Sequence, residues 1–247
     1  MLFMEVRSSL MIVGFAACAL CWGLNADAKT TDEAETAELL IVLLKAGRAV
    51  VSEHQDLIND AARGDKGFTD DVIGHKILER FKAETHIDLS KPAGIPRYDI
   101  LLAMVQAQRD VVRDAQPVIN KEGIGFKGFV PSVFARKVGQ KLFSKTGIRV
   151  KLTAMDYRFP GNQPDDFESE VLRVFSDPHY PKGKRYVKLS VVDDGQAVRV
   201  MHPEYAEATC LVCHGDPKGE RDMTGMKKEG WQEGELAGAI SVVMPVR

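Results

Sequence analysis

No charge of one sign dominates this sequence: the formal net charge is −2 in 247 residues, with 28% charged. That leaves no basic case for nucleic acid or an anionic membrane surface. Long apolar runs are also missing. The run from Leu10 to Leu24 falls short of the ~20 residues that cross a bilayer comfortably, and no later span follows. There is no internal repeat and no low-complexity tract. No Ser/His/Asp pattern, phosphate loop or metal-protease motif occurs, so the chain is not read as an enzyme, and acids such as Glu33 and Glu35 read as a solvated helix face. Cysteine is scarce: Cys18, Cys21, Cys210 and Cys213 are all there is.

The second pair is the informative one. Cys210-Leu211-Val212-Cys213-His214 has the spacing of a c-type haem attachment sequence. Each thiol adds to one porphyrin vinyl group, and the adjacent imidazole then lies beneath the iron as proximal ligand. Cys210, Cys213 and His214 are therefore the cofactor-binding residues, with His214 on the metal. A plain disulfide would need no histidine. Zinc would need a second ligand pair, and no second Cys-x-x-Cys or His-x-x-x-His follows.

The N-terminus agrees with an exported protein. Arg7, the run from Leu10 to Leu24 and Ala26-Asp27-Ala28 make an n-region, an h-region and a cleavage site. Glu5 offsets Arg7, and an uncleaved leader would be an anchor instead. Cys18 and Cys21 lie inside the apolar leader, and Trp22 rather than histidine follows them. Phe15-Ala16-Ala17-Cys18 matches a lipoprotein site poorly. Cleavage after Ala28 would leave Cys210 and Cys213 as the mature cysteines, in a periplasmic or otherwise exported setting where c-type haem is attached.

Helical periods fill the first half. Thr30 and Glu33 form a capping-box pattern, and Leu40, Leu43, Gly47, Val50, His54 and Leu57 recur at spacings of three and four. Leu57-Ile58-Asn59-Asp60 and Gly64 end that helix. Further helices are expected over Asp70–Glu84, Tyr98–Ile119 and Phe129–Lys145, the last with Pro131 in its first turn. After Gly147 the period changes. Gly147–Phe159 alternates, Asp165–Phe175 is a short helix, and Arg185–Val192 with Ala197–His202 make a hairpin around Asp193-Asp194-Gly195. A last strand spans Leu236–Val246. Helices followed by a mostly antiparallel sheet make the chain α+β. The expected organisation is a signal peptide over 1–28, a helical region over 29–122 and a haem-bearing region over 123–247, the last two forming one compact unit.

Several patches carry a family resemblance: Leu57-Ile58-Asn59-Asp60, Gly125-Phe126-Lys127-Gly128-Phe129, Asn162-Gln163-Pro164-Asp165-Asp166-Phe167-Glu168, Cys210 to Gly215, Thr224-Gly225 and Gly238-Ala239-Ile240-Ser241-Val242. With them the chain, from about Leu39 to Pro245, resembles the cyanobacterial Tll-type haem c domain, a PAS-like sensor fold classed as a domain of unknown function. The resemblance implies an antiparallel PAS-like sheet holding one covalent haem, with the long N-terminal helix packed against it. It also implies redox or gas sensing rather than catalysis, with any signal leaving through a partner. A cysteine serves as distal iron ligand in that family; here thioether formation leaves the mature chain none.

The sixth iron position therefore needs another ligand or stays open. His54, on the apolar stripe, is the first candidate, with Gly47 leaving room either for a flat macrocycle or for close helix packing. A lone histidine there is more often a hydrogen-bonded core residue. His202 is second, and Met155, Met201, Met223 and Met226 offer thioethers. His75, His86 and His179 read as water-facing. Arg158, Lys151 and Arg185 are candidate propionate partners or, more simply, solvated strand charges. The leading reading is an exported monohaem redox or small-ligand sensor, and the alternative is a periplasmic electron-transfer cytochrome. Its expected partners are a redox or signalling protein, a diatomic gas and a second copy of itself.

Overall fold

The computed structural model describes residues 19–193 and 195–246, with side chains from residue 30 onward. The expected leader lies mostly outside the described residues. Its end does not: helix α1 spans Ala19–Glu53, so it runs straight through Thr30. The expected capping box is thus not an N-terminus. A helix that continues upstream supplies its own carbonyl acceptors, and Glu33 is released for another partner. It is buried, and both its oxygens accept from Arg97 Nη1, at 2.7 and 2.8 Å. The expected solvated face is an internal ion pair at that position.

α1 ends one residue before His54, which has φ −102° and ψ 11°, and the chain re-enters a short helix, α2 (Gln55–Asn59). Three longer helices follow. Thr69 caps α3 (Asp70–Thr85) by accepting from Val72 N. α4 (Tyr98–Ile119) keeps Pro117 in its last turn, so the donor it lacks removes one intrahelical bond close to where the helix ends. α5 (Pro131–Thr146) opens on Pro131 and stops at Gly147, whose φ of 75° favours glycine. β1 covers only Arg149–Thr153, shorter than the alternation suggested. Met155, Tyr157 and Phe159 continue the pattern but are exposed, and the backbone turns away after Thr153.

α6 (Asp166–Phe175) starts with a complete capping box between Asp165 and Glu168. β2 (Tyr186–Val192) and β3 (Gly195–Tyr205) form the expected hairpin. The Cys-x-x-Cys-His segment is itself a short helix, α7 (Ala208–His214), and β4 (Leu236–Pro245) closes the sheet. All pairings are antiparallel in the order β1-β4-β3-β2. The fold is α+β.

One face of the sheet presents Val150, Val198, Val200, Ile240, Val242 and Met244 to the helices, in a core continuous with Leu40, Leu43, Leu44, Val50 and Val51 of α1. Helices and sheet thus share one interior, with no seam near residue 122. The opposite face receives α6, with Val171, Leu172 and Phe175 against Met201 and Ala239. Two glycines set close approaches. A Cβ on Gly139 of α5 would collide with the Val150 carbonyl oxygen of β1, and one on Gly47 would collide with the Gln108 side chain. Gly47 therefore serves helix packing, not a macrocycle.

Candidate functional site

Residues 206–235 leave the end of β3 and return to β4 as a closed excursion. Its base is pinned by Ala206 N to Glu235 O and Gly234 N to Ala206 O, both 2.8 Å. α7 occupies the first part, and the His214 carbonyl accepts from Gly230 N and Trp231 N at 2.9 Å, drawing the returning chain across the motif. On one helical segment Cys210 and Cys213 present free, half-buried thiols, four and one residues before His214.

His214 is held on two sides. Its Nδ1 donates to Glu229 Oε2 at 2.7 Å, and its ring stacks on Trp231 with centroids 4.3 Å apart and planes 6° from parallel. Fixing Nδ1–H selects the tautomer whose Nε2 carries the lone pair, the second-shell arrangement that orients metal-binding histidines. Burial, followed by the neighbouring Arg158 charge, pushes the imidazole below its ordinary value, which favours the neutral ligand form.

Arg158 ties the excursion to the turn after β1. Its Nε and Nη2 donate to the two Glu229 oxygens at 2.6 and 2.7 Å, a bidentate pair. Nη1 donates to Asp222 Oδ2 at 2.7 Å, and Nη2 also reaches the Cys213 carbonyl at 2.8 Å and the Lys227 carbonyl at 3.1 Å. Burial opposes ionisation of both acids, yet hydrogen bonds prevail. Arg158 and His214 hold Glu229 below the usual carboxylate range, while Thr224 and Arg158 bring Asp222 down to about 2. Burial, reinforced by Asp222, pushes the Cys213 thiol up.

The same acid explains Thr224-Gly225. Asp222 Oδ1 accepts from Thr224 N, Thr224 Oγ1 and Met226 N, and Gly225 turns at φ 81°. Arg158 is therefore neither a solvated strand charge nor a spare cation. Lys151 and Arg185 are also engaged, the first with Glu168 at 2.8 Å and the second with Glu38 at 3.6 Å.

His54 lies elsewhere in the chain's layers. Its Nδ1 bonds the Val50 carbonyl at 2.7 Å, and its ring lies 5.0 Å from that of Phe68. Arg48 on α1 pairs with Glu204 near the end of β3, and Glu38, ten residues earlier, pairs with Arg185 just before β2, so α1 lies across the end of the sheet from which α7 departs. His202 bonds the Pro203 carbonyl through Nδ1 and lies opposite Ile240. Met201 is fully buried beneath α6, whereas Met155, Met223 and Met226 are exposed. His75, His86 and His179 are exposed. Asp222, Glu229 and Trp231 are not legible in the sequence as a site, and Arg158 reads there only as a propionate partner or a solvated charge, because only closure of the excursion brings the four together.

The residues present fit a haem. Two free thiols and an imidazole with its Nδ1 anchored form the donor set. Exposed apolar side chains (Met155, Tyr157, Val212, Met223 and Met226) occur in the segments that Arg158 joins. Among the described residues no three His, Cys, Asp or Glu side chains converge as a metal-binding group, so the ligands of a structural zinc site do not assemble.

No curated protein matches this sequence. Among solved structures, it is similar to the crystal structure of the cyanobacterial heme-protein Tll0287, at 20% identity and a TM-score of 0.42, over 60% of this chain and 92% of that one. The Tll0287-like family matches residues 26–245, from the end of the expected leader to the last residue of β4, and the chain belongs to that family.

Proposed function

We propose that this protein is an exported monohaem c-type protein that senses redox state or a small ligand through a PAS-like domain. The observation that carries the reading is His214 Nδ1 held by Glu229 at 2.7 Å beside two free thiols, which leaves Nε2 for iron. Family membership supports haem as the cofactor, since the cyanobacterial protein for which the family is named is a heme-protein. Cys210 and Cys213 would hold the porphyrin as thioethers, and His214 would bind the iron. Bound haem supplies a one-electron couple and an axial position. Glu229 fixes the imidazole tautomer, Arg158 fixes Glu229, and Trp231 limits rotation of the ring. Through Arg158 the motif is mechanically joined to the turn after β1 and to the Asp222 turn, a route by which a change at iron reaches the surface. His54 is the proposed sixth ligand: its Nδ1 is committed to Val50, leaving Nε2, and α1 lies across the end of the sheet from which the motif departs. No catalytic role is assigned to any residue, and the apolar leader would direct export before haem attachment.

Electron transfer is the second reading, because the same iron site would serve it. Spectra of protein made with haem-maturation machinery separate the two. Bands unmoved by carbon monoxide in the reduced state indicate a firmly held sixth ligand and favour redox sensing or electron transfer. A prompt shift indicates a displaceable ligand and favours gas sensing. Absence of haem bands refutes the proposal. An unchanged ferrous spectrum and potential in His54→Ala removes His54 as ligand.

A further inference from the structure

The two edges of the sheet are treated differently. β1 at one edge has α5 against its backbone, close enough that only glycine fits at position 139. β2 at the other edge has no strand beyond it among the described residues. Register places Val187 opposite Val200 and Leu189 opposite Val198, so Val187, Leu189 and Val191 share the face that the helices cover elsewhere. Val198 and Val200 are buried there, but Val187, Leu189 and Val191 are 43%, 49% and 77% exposed. An open edge with three apolar side chains on one face is a template for another strand.

We propose that this edge binds β2 of a second copy of the chain, antiparallel, joining the two sheets into one. Charge identifies the occupant. The strand is basic where it begins (Lys182, Lys184, Arg185) and acidic where it ends, at Asp193. With Leu189 on the two-fold axis, Leu189 faces Leu189 of the second copy, Val187 faces its Val191, and Arg185 faces its Asp193. Apolar positions meet apolar ones, and each basic end meets an acidic end. Arg185 and Asp193 have partners within the chain, the half-buried Glu38 and the exposed Arg149, but both are themselves exposed and can take a second partner across the axis. Lys188, the residue most able to guard the edge, leans over the Phe167 ring on the other face. The cofactor is not the occupant, since Val191 pairs with Gln196, at the opposite end of β3 from α7.

Sedimentation velocity of the haem-loaded protein over a concentration series tests this. A reversible dimer that weakens with salt is expected. Leu189→Lys places like charges on the axis and should raise the dissociation constant by about tenfold or more. Leu102→Lys, at an exposed site on α4, should leave it unchanged, and both variants should keep the wild-type haem bands. A monomer throughout, a dimer indifferent to Leu189→Lys, or haem bands displaced by Leu189→Lys would each overturn the proposal. None of these readouts depends on which signal the haem site serves.

Discussion

Replacing Arg158 by methionine removes the cation while preserving much of the side chain's length. It strands two carboxylates, because the Asp222 side chain is 0% exposed and that of Glu229 13%, against 20% for Arg158. Breaking a buried ion pair from one side costs ~3–5 kcal/mol. Two carbonyl acceptors, on Cys213 and Lys227, also lose their donor, at ~1 kcal/mol each. Partial exposure of the guanidinium lets water replace some of these bonds, so the net loss should sit near ~3 kcal/mol. For a chain of this size that corresponds to a fall of ~6–12 °C in Tm. Arg158→Lys keeps the charge but not the bidentate geometry and should lose about half as much. Circular dichroism melts of cofactor-free protein give the first comparison. A double-mutant cycle of Arg158→Met with Asp222→Asn gives the coupling, expected at ~1 kcal/mol or more. A loss below ~1 kcal/mol in Arg158→Met, or additive single variants, would refute the view that Arg158 organises the site.

In haem-loaded protein, Glu229→Gln replaces a charged acceptor on His214 Nδ1 by a neutral one. The imidazole donates less electron density and the midpoint potential should rise; a redox titration showing a fall would contradict the assigned role. Acid should weaken the cofactor-free fold. Asp222 and Glu229 are held below their ordinary values, so the stability they contribute is present at neutral pH and is lost as pH falls, Asp222 last near 2. His214 is held below 6.5, so below that pH the unfolded chain takes up a proton that the folded site resists, again destabilising. Urea midpoints should therefore fall from pH 7 to pH 4, and a rise over that interval would reverse the assignment. Gly139→Ala forces α5 off β1 against an unyielding carbonyl and should cost ~1–3 kcal/mol, read from the same melts, with a neutral result showing that the two elements can separate freely.

Much of the fold was legible because period alone carries it. The bounds Tyr98–Ile119 read from the sequence are those of α4, and the short helix read over Asp165–Phe175 is α6 together with its cap. Pattern misled where it continued past its cause. Met155, Tyr157 and Phe159 extend the alternation of β1 but belong to an exposed turn that delivers Arg158. Thr30 and Glu33 have the letters of a cap, yet a helix already in progress needs none, and Glu33 answers Arg97 from 64 positions away.

The proposed haem motif is written in five consecutive residues, because thioether attachment and axial ligation would demand fixed local spacing. The α+β order and the β2–β3 hairpin were likewise decided by sequence. What holds the motif was not. Glu229 and Asp222 meet Arg158 across separations of 71 and 64 residues, and no local period encodes such a meeting. It exists only because β3 and β4 pair and return the intervening chain across His214. Burial then turns three ordinary surface residue types into the scaffold of the site.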